Sequence, residues 1–105
     1  HPMNAYFASL APVDLARFPD VAELQTAVRR AGFPSTGAVT CRRSPESIDA
    51  TYADKVAGKF ISTYALLPEI EFERGLARLR ADIAPRGAIG EHAWECVVVW
   101  GNDRV

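Results

Sequence analysis

His92 is the residue from which chemistry could start. It stands beside Glu91 and close to Glu95, and a histidine next to carboxylates can act as a general base near neutral pH. The plainer reading is a surface histidine at the start of a strand. The plainer reading is preferred, because no nucleophile, second histidine or oxyanion motif accompanies it. His1 could join His92 around copper through its ring and free amine, but two ligands so far apart in the chain are a poor metal signature. His1-Pro2 also precedes Met3 and reads as a cloning remnant, with Met3 as the natural start. No metal or other cofactor is therefore expected.

Cys41 and Cys96 are single thiols without a CxxC spacing, and both read as small strand hydrophobes. Two cysteines in 105 residues do not make a disulfide framework. The seven glycines are dispersed and form no phosphate loop. Net charge is -1, so the basic excess of a general nucleic-acid binder is missing. The local clusters at Arg29-Arg30, Arg42-Arg43 and Arg74 to Arg86 read as solvated helix faces and turn edges. No apolar run approaches the ~18–20 residues that span a bilayer, and no signal peptide is visible. A cytoplasmic protein is expected.

The elements that must position these residues follow from periodicity. His92 to Trp100 is rich in β-branched and aromatic residues and bounded by Gly90 and Gly101-Asn102-Asp103, which predicts a strand. Its second half is apolar on both faces, so something should cover both. Asn4 to Leu10, Thr36 to Arg42 and Lys59 to Leu67 predict three more strands, the second weakly apolar and suited to an edge. Asp20 with Glu23 predicts a helix start; Val21, Leu24, Val28 and Ala31 form its apolar stripe, and Gly32 stops it. Pro68 to about Ala84 predicts a second helix, with Phe72, Leu76, Leu79 and Ile83 on one arc. Gly75 within it suggests a close approach to the sheet. Ser44 to Gly58 is a short helix opened by Ser44-Pro45, or a structured loop.

That order predicts one α+β domain over residues 1–105. It is ferredoxin-like, βαββαβ, with a four-stranded antiparallel sheet and two helices on one face. The first and third strands would be central. Cys41 and Cys96 would lie on opposite edges, too far apart to bridge. Trp94 and Trp100, with Tyr64 and Tyr6, would then form an apolar binding surface on the open face, the kind that marks an interaction site. The alternative is that residues 44–58 cover it or that the register buries the tryptophans. An aromatic sheet is also how RNA-recognition domains stack bases. Their third-strand motif is not matched by Lys59-Phe60-Ile61-Ser62-Thr63-Tyr64, so nucleic acid is not the expected partner.

Two stretches resemble the regulator of ribonuclease E activity B family. They are Phe72-Glu73-Arg74-Gly75-Leu76-Ala77-Arg78-Leu79, and Gly90-Glu91-His92-Ala93-Trp94-Glu95-Cys96 with its Gly-x-x-x-Trp corner. What the resemblance implies is a cytosolic, inhibitor-type regulator that acts by protein contact. The expected function is therefore a non-catalytic regulatory or protein-interaction domain, binding a protein partner or a second copy through the open sheet face. The alternative is a small dimeric α/β-barrel enzyme or ligand binder using His92 with Glu91 or Glu95.

Overall fold

A computed structural model describes residues 1–104. The chain divides into two compact units. The larger comprises His1–Arg17 and Pro45–His92; the smaller comprises Phe18–Ser44 and Ala93–Val105.

The larger unit begins with a 3-10 turn at Pro2–Ala5, capped by His1, whose Nδ1 accepts from the Met3 amide at 3.1 Å. Proline suits the first helical position, where its missing N–H would have no partner. Helix α1 follows at Leu10–Arg17. Met3, Phe7 and Leu10 are buried, and their spacing of four and three is helical. The predicted first strand is therefore not formed. Its supposed face of Tyr6, Ala8 and Leu10 contains only one buried side chain.

Strand β2 (Glu46–Asp49) pairs antiparallel with strand β3 (Ala88–His92), Glu46 opposite His92 and Ser47 opposite Glu91. Helix α3 (Ala50–Ala57) starts at Asp49, not Ser44: the Asp49 carboxylate accepts from the Tyr52 amide at 3.0 Å. Ile48, Tyr52 and Val56, four apart in the sequence, are all buried. Ser62–Leu66 is a second 3-10 turn, so the predicted third strand is also absent. Thr63, Tyr64 and Leu67 turn inward while Phe60 and Leu66 stay exposed, which is not the alternation of a strand.

Helix α1 holds that turn in place. The buried Thr63 hydroxyl donates to Asp14 Oδ1 at 2.5 Å and accepts from Arg17 Nη1 at 3.0 Å, while Arg17 Nη2 donates to Ser62 at 3.0 Å. Valine at position 63 keeps the shape and removes both bonds, so the half-buried Asp14 carboxylate loses its Thr63 donor. Thr63→Val is expected to cost ~2 kcal/mol, and Thr63→Ser much less, in urea unfolding.

Helix α4 (Glu69–Ile83) turns Phe72, Gly75, Leu79 and Ile83 inward. The N-terminal segment lies along it: Tyr6 donates to Asp82 at 2.6 Å, Ser9 donates to Glu71 at 2.7 Å, and Arg78 donates to the Ala5 carbonyl at 3.2 Å. Gly75 marks a close approach, but to the backbone of Tyr6 and the ring of Phe7 rather than to a sheet. The buried core of the described residues, from Met3 to Ile83, belongs wholly to this unit.

The smaller unit holds helix α2 (Val21–Arg30), strand β1 (Ser35–Arg42) and strand β4 (Glu95–Asn102). Asp20 caps α2, accepting from the Glu23 amide at 2.7 Å, and Gly32 ends it with a left-handed φ of 110° that glycine adopts freely. Strands β1 and β4 pair antiparallel, with Gly37 opposite Trp100, Val39 opposite Val98, Cys41 opposite Cys96 and Arg42 opposite Glu95.

The ferredoxin-like arrangement is thus overturned. The strands form two separate two-stranded antiparallel sheets, β1-β4 and β2-β3. The predicted last strand is divided, β3 ending at His92 and β4 starting at Glu95. Cys41 and Cys96, expected two strands apart, face each other across one ladder as free thiols. Among the described residues no helix is long and apolar enough to cross a membrane.

Candidate functional site

Successive side chains on a strand point to opposite sides. On β4, Gly101 faces α2: a Cβ there would lie 2.6 Å from Val28 Cγ1 and 2.7 Å from Phe33 Cγ. The odd-numbered residues Val97 and Val99 share that side. Cys96, Val98 and Trp100 share the other, opposite Cys41, Val39 and Gly37 of β1. The Trp100 indole lies across Gly37, where a Cβ would come within 2.7 Å of Trp100 Cε2.

This ribbon is open. Val39, Val98 and Trp100 are 48%, 47% and 46% exposed on the face away from α2, and even Val97 on the helix side is 44% exposed. No side chain of the smaller unit is buried among the described residues. The Arg43 amide donates to the Trp94 carbonyl at 2.8 Å, one pair beyond Arg42 and Glu95. In an antiparallel ladder hydrogen-bonded pairs alternate. The even-numbered residues of β4 therefore bond β1, and the amides of Val97 and Val99 point to the free side of the strand.

The other expected site residues are dispersed. Trp94 is half-buried, and in the chain it falls after the end of β3 and before the start of β4. Tyr64, expected on an open sheet, is fully buried in the 3-10 turn of the larger unit. Its ring packs edge-on to Phe7, with centroids 5.4 Å apart. Tyr6 follows a turn rather than lying on a strand, with its ring under the Arg78 guanidinium at 5.6 Å. Burial, and then the hydrogen bond to Asp82, raise its phenol pKa.

His92 is half-buried at the end of β3, and its ring lies over that of His1 at 4.4 Å between centroids. Glu91 is exposed opposite Ser47. The Glu95 carboxylate is taken by Arg42, whose Nε donates to it at 2.9 Å. Among the described residues no three His, Cys, Asp or Glu side chains gather in a metal-binding group. The larger unit carries cavities of about 320, 380 and 180 Å³ on the flanks of α4, and His92 lines none of these three.

Two constellations were not foreseen. The first is Asp14, Arg17 and Thr63; Asp14 and Arg17 are three apart on one helix face, the only hint the sequence held. The second is the opposed cysteine pair, which requires knowing that β1 and β4 are neighbours. Comparison with protein-family models, with curated proteins and with solved structures gave no match to this chain.

Proposed function

We propose that this chain works by protein contact, and that the free side of β4 takes up an extended strand from a protein partner. The carrying observation is the smaller unit. It contains an amphipathic helix and the run Cys96-Val97-Val98-Val99-Trp100, yet buries no side chain. Strands covered on both faces read as continuous apolar runs, and β4 reads that way. β1 ends in charge and is weakly apolar, as an edge strand is. A two-stranded ribbon alone is marginal in water. The missing strand therefore belongs beside β4, where the Val97 and Val99 amides await acceptors.

A cytoplasmic, regulatory role is one form of this reading, and the inhibitor-type regulator of a ribonuclease implied by the sequence resemblance is a specific case. A second copy of the chain is another possible strand donor. The alternative of an enzyme or ligand binder using His92 with Glu91 or Glu95 has less support, because the Glu95 carboxylate is engaged by Arg42.

The test is co-purification from the host extract, with a ribonuclease E-type nuclease as a defined bait and sedimentation for self-association. Val97→Pro removes an outward amide while keeping the bonds to β1; Trp100→Ser removes the exposed ring. Each is expected to weaken capture at least ~10-fold, the effect of losing ~1.4 kcal/mol. Leu15→Ser, at an 83% exposed position on α1, should leave it unchanged. A partner held equally by all three variants would contradict the reading.

A further inference from the structure

We propose that Cys41 and Cys96 form a reversible thiol–disulfide site across the β1–β4 ribbon. The two residues are direct partners in the antiparallel register, and both are free and exposed. They form a hydrogen-bonded pair of the ladder, whose Cα atoms lie about 5.5 Å apart, inside the ~4.4–6.8 Å range of bridged cysteines. Direct cross-strand partners also project their side chains from the same face. The pair lies one step along the ribbon from Val39 and Val98 on the face that α2 leaves uncovered. Both thiols are therefore open to a small oxidant and close to each other; the Cβ atoms of a hydrogen-bonded pair lie about 5.5 Å apart, so closing the bridge to ~3.5–4.5 Å draws the two strands together locally.

The oxidant is a low-molecular-weight disulfide of the glutathione type. The thiolate of one cysteine attacks a sulfur of that disulfide, forming a mixed disulfide and releasing one small thiolate, which takes up the proton the cysteine lost. The thiolate of the opposed cysteine then attacks the protein-side sulfur of the mixed disulfide, expelling the second small thiol. Two cysteine thiols are oxidised to one disulfide, and one small disulfide is reduced to two thiols. Excess small thiol reverses both steps. The bridge would tie residues 41 and 96 together and close a long loop, the case in which a crosslink restricts the unfolded chain most.

The site belongs to the ribbon register alone and needs no partner protein, so it stands or falls separately from the strand-pairing function. The experiment uses the full 105-residue chain, equilibrated without partner in a series of reduced and oxidised glutathione mixtures. Intact mass should fall by two hydrogens per monomer as the buffer becomes oxidising. A non-reducing peptide map should link the Cys41 and Cys96 peptides, and dithiothreitol should reverse the change. The oxidised form should melt higher by on the order of 10 °C. Cys41→Ser should stop at a glutathione adduct on Cys96, and Cys96→Ser at one on Cys41. Two stable glutathione adducts per wild-type chain, or disulfide-linked dimers in place of the intrachain bridge, would overturn the proposal.

Discussion

Replacing Gly75 with valine is expected to destabilise the larger unit by about 3 kcal/mol, the upper part of the range for overpacking a core. A Cβ at this position would collide with the Tyr6 carbonyl oxygen and come 2.5 Å from Phe7 Cε1. One neighbour is backbone, and the other is a fully buried ring stacked on Phe72 at 5.6 Å between centroids. Neither can swing aside as a flexible surface side chain would. Even alanine, which gains ~1 kcal/mol of helix propensity over glycine, meets the same collision and should be net destabilising. Gly58→Ala is the control. A Cβ there makes only an ordinary contact with the Lys55 carbonyl at 3.5 Å, at a φ of -76° that alanine tolerates. Urea unfolding of the three variants should separate them; a Gly75→Val protein as stable as wild type would mean that α4 does not lie against the N-terminal segment.

The second large effect is alkaline. Tyr52 and Tyr64 are buried, and neither hydroxyl has a hydrogen-bond partner among the described residues. Burial, and then the nearby Glu46, push the Tyr52 phenol up from 10.0 to about 12. Burial raises Tyr64 further, with Tyr52 and Asp14 adding to it. A pKa raised by folding means that the folded chain keeps its proton where the unfolded chain has lost it. The stability this contributes is intact below pH ~10 and falls as pH climbs through the folded values. Each tyrosine can contribute a slope of at most ~1.4 kcal/mol per pH unit. Urea midpoints should therefore drop steeply between pH 10 and 12. Tyr52→Phe should flatten part of that slope and Tyr64→Phe another part, while costing little at pH 7, since each removes an unpartnered hydroxyl. A wild-type profile as flat as that of the double variant would show that these phenols are hydrated in the folded state.

What could be read from the sequence was local. Asp20 as the cap of α2, Gly32 as its stop, Pro68 before α4 and the four-residue spacing of Tyr52 and Val56 are signals contained within a few residues, and each has its structural counterpart, whereas Ile48, read on the same helix, lies on β2. The strand at 36–42 was legible for the same reason. The errors came where β-branched and aromatic content stood in for periodicity. Asn4 to Leu10 and Lys59 to Leu67 read as strands, but their buried residues, Phe7 and Leu10 in one and Thr63, Tyr64 and Leu67 in the other, are not spaced by two. Tertiary contacts decided these segments: the N-terminal stretch against α4, and Thr63 against Asp14 and Arg17. Counting two absent strands led to the wrong sheet, and the wrong sheet placed Tyr64 outside and the cysteines apart. Strand pairing is non-local, so nothing near Cys41 could reveal that Cys96 lies opposite. The apolar double face of β4 was legible because it is a property of one short run.

The free side of β4 is the centre of this account, and amide exchange along that strand tests it most directly. In the isolated chain, resolved by NMR, the Cys96 and Val98 amides should exchange slowly because they bond β1, and those of Val97 and Val99 quickly. In complex with the captured partner, protection should appear at Val97 and Val99, and Val97→Pro should prevent it. Slow exchange at Val97 and Val99 before any partner is added, or a complex that leaves both unprotected, would contradict strand addition at β4.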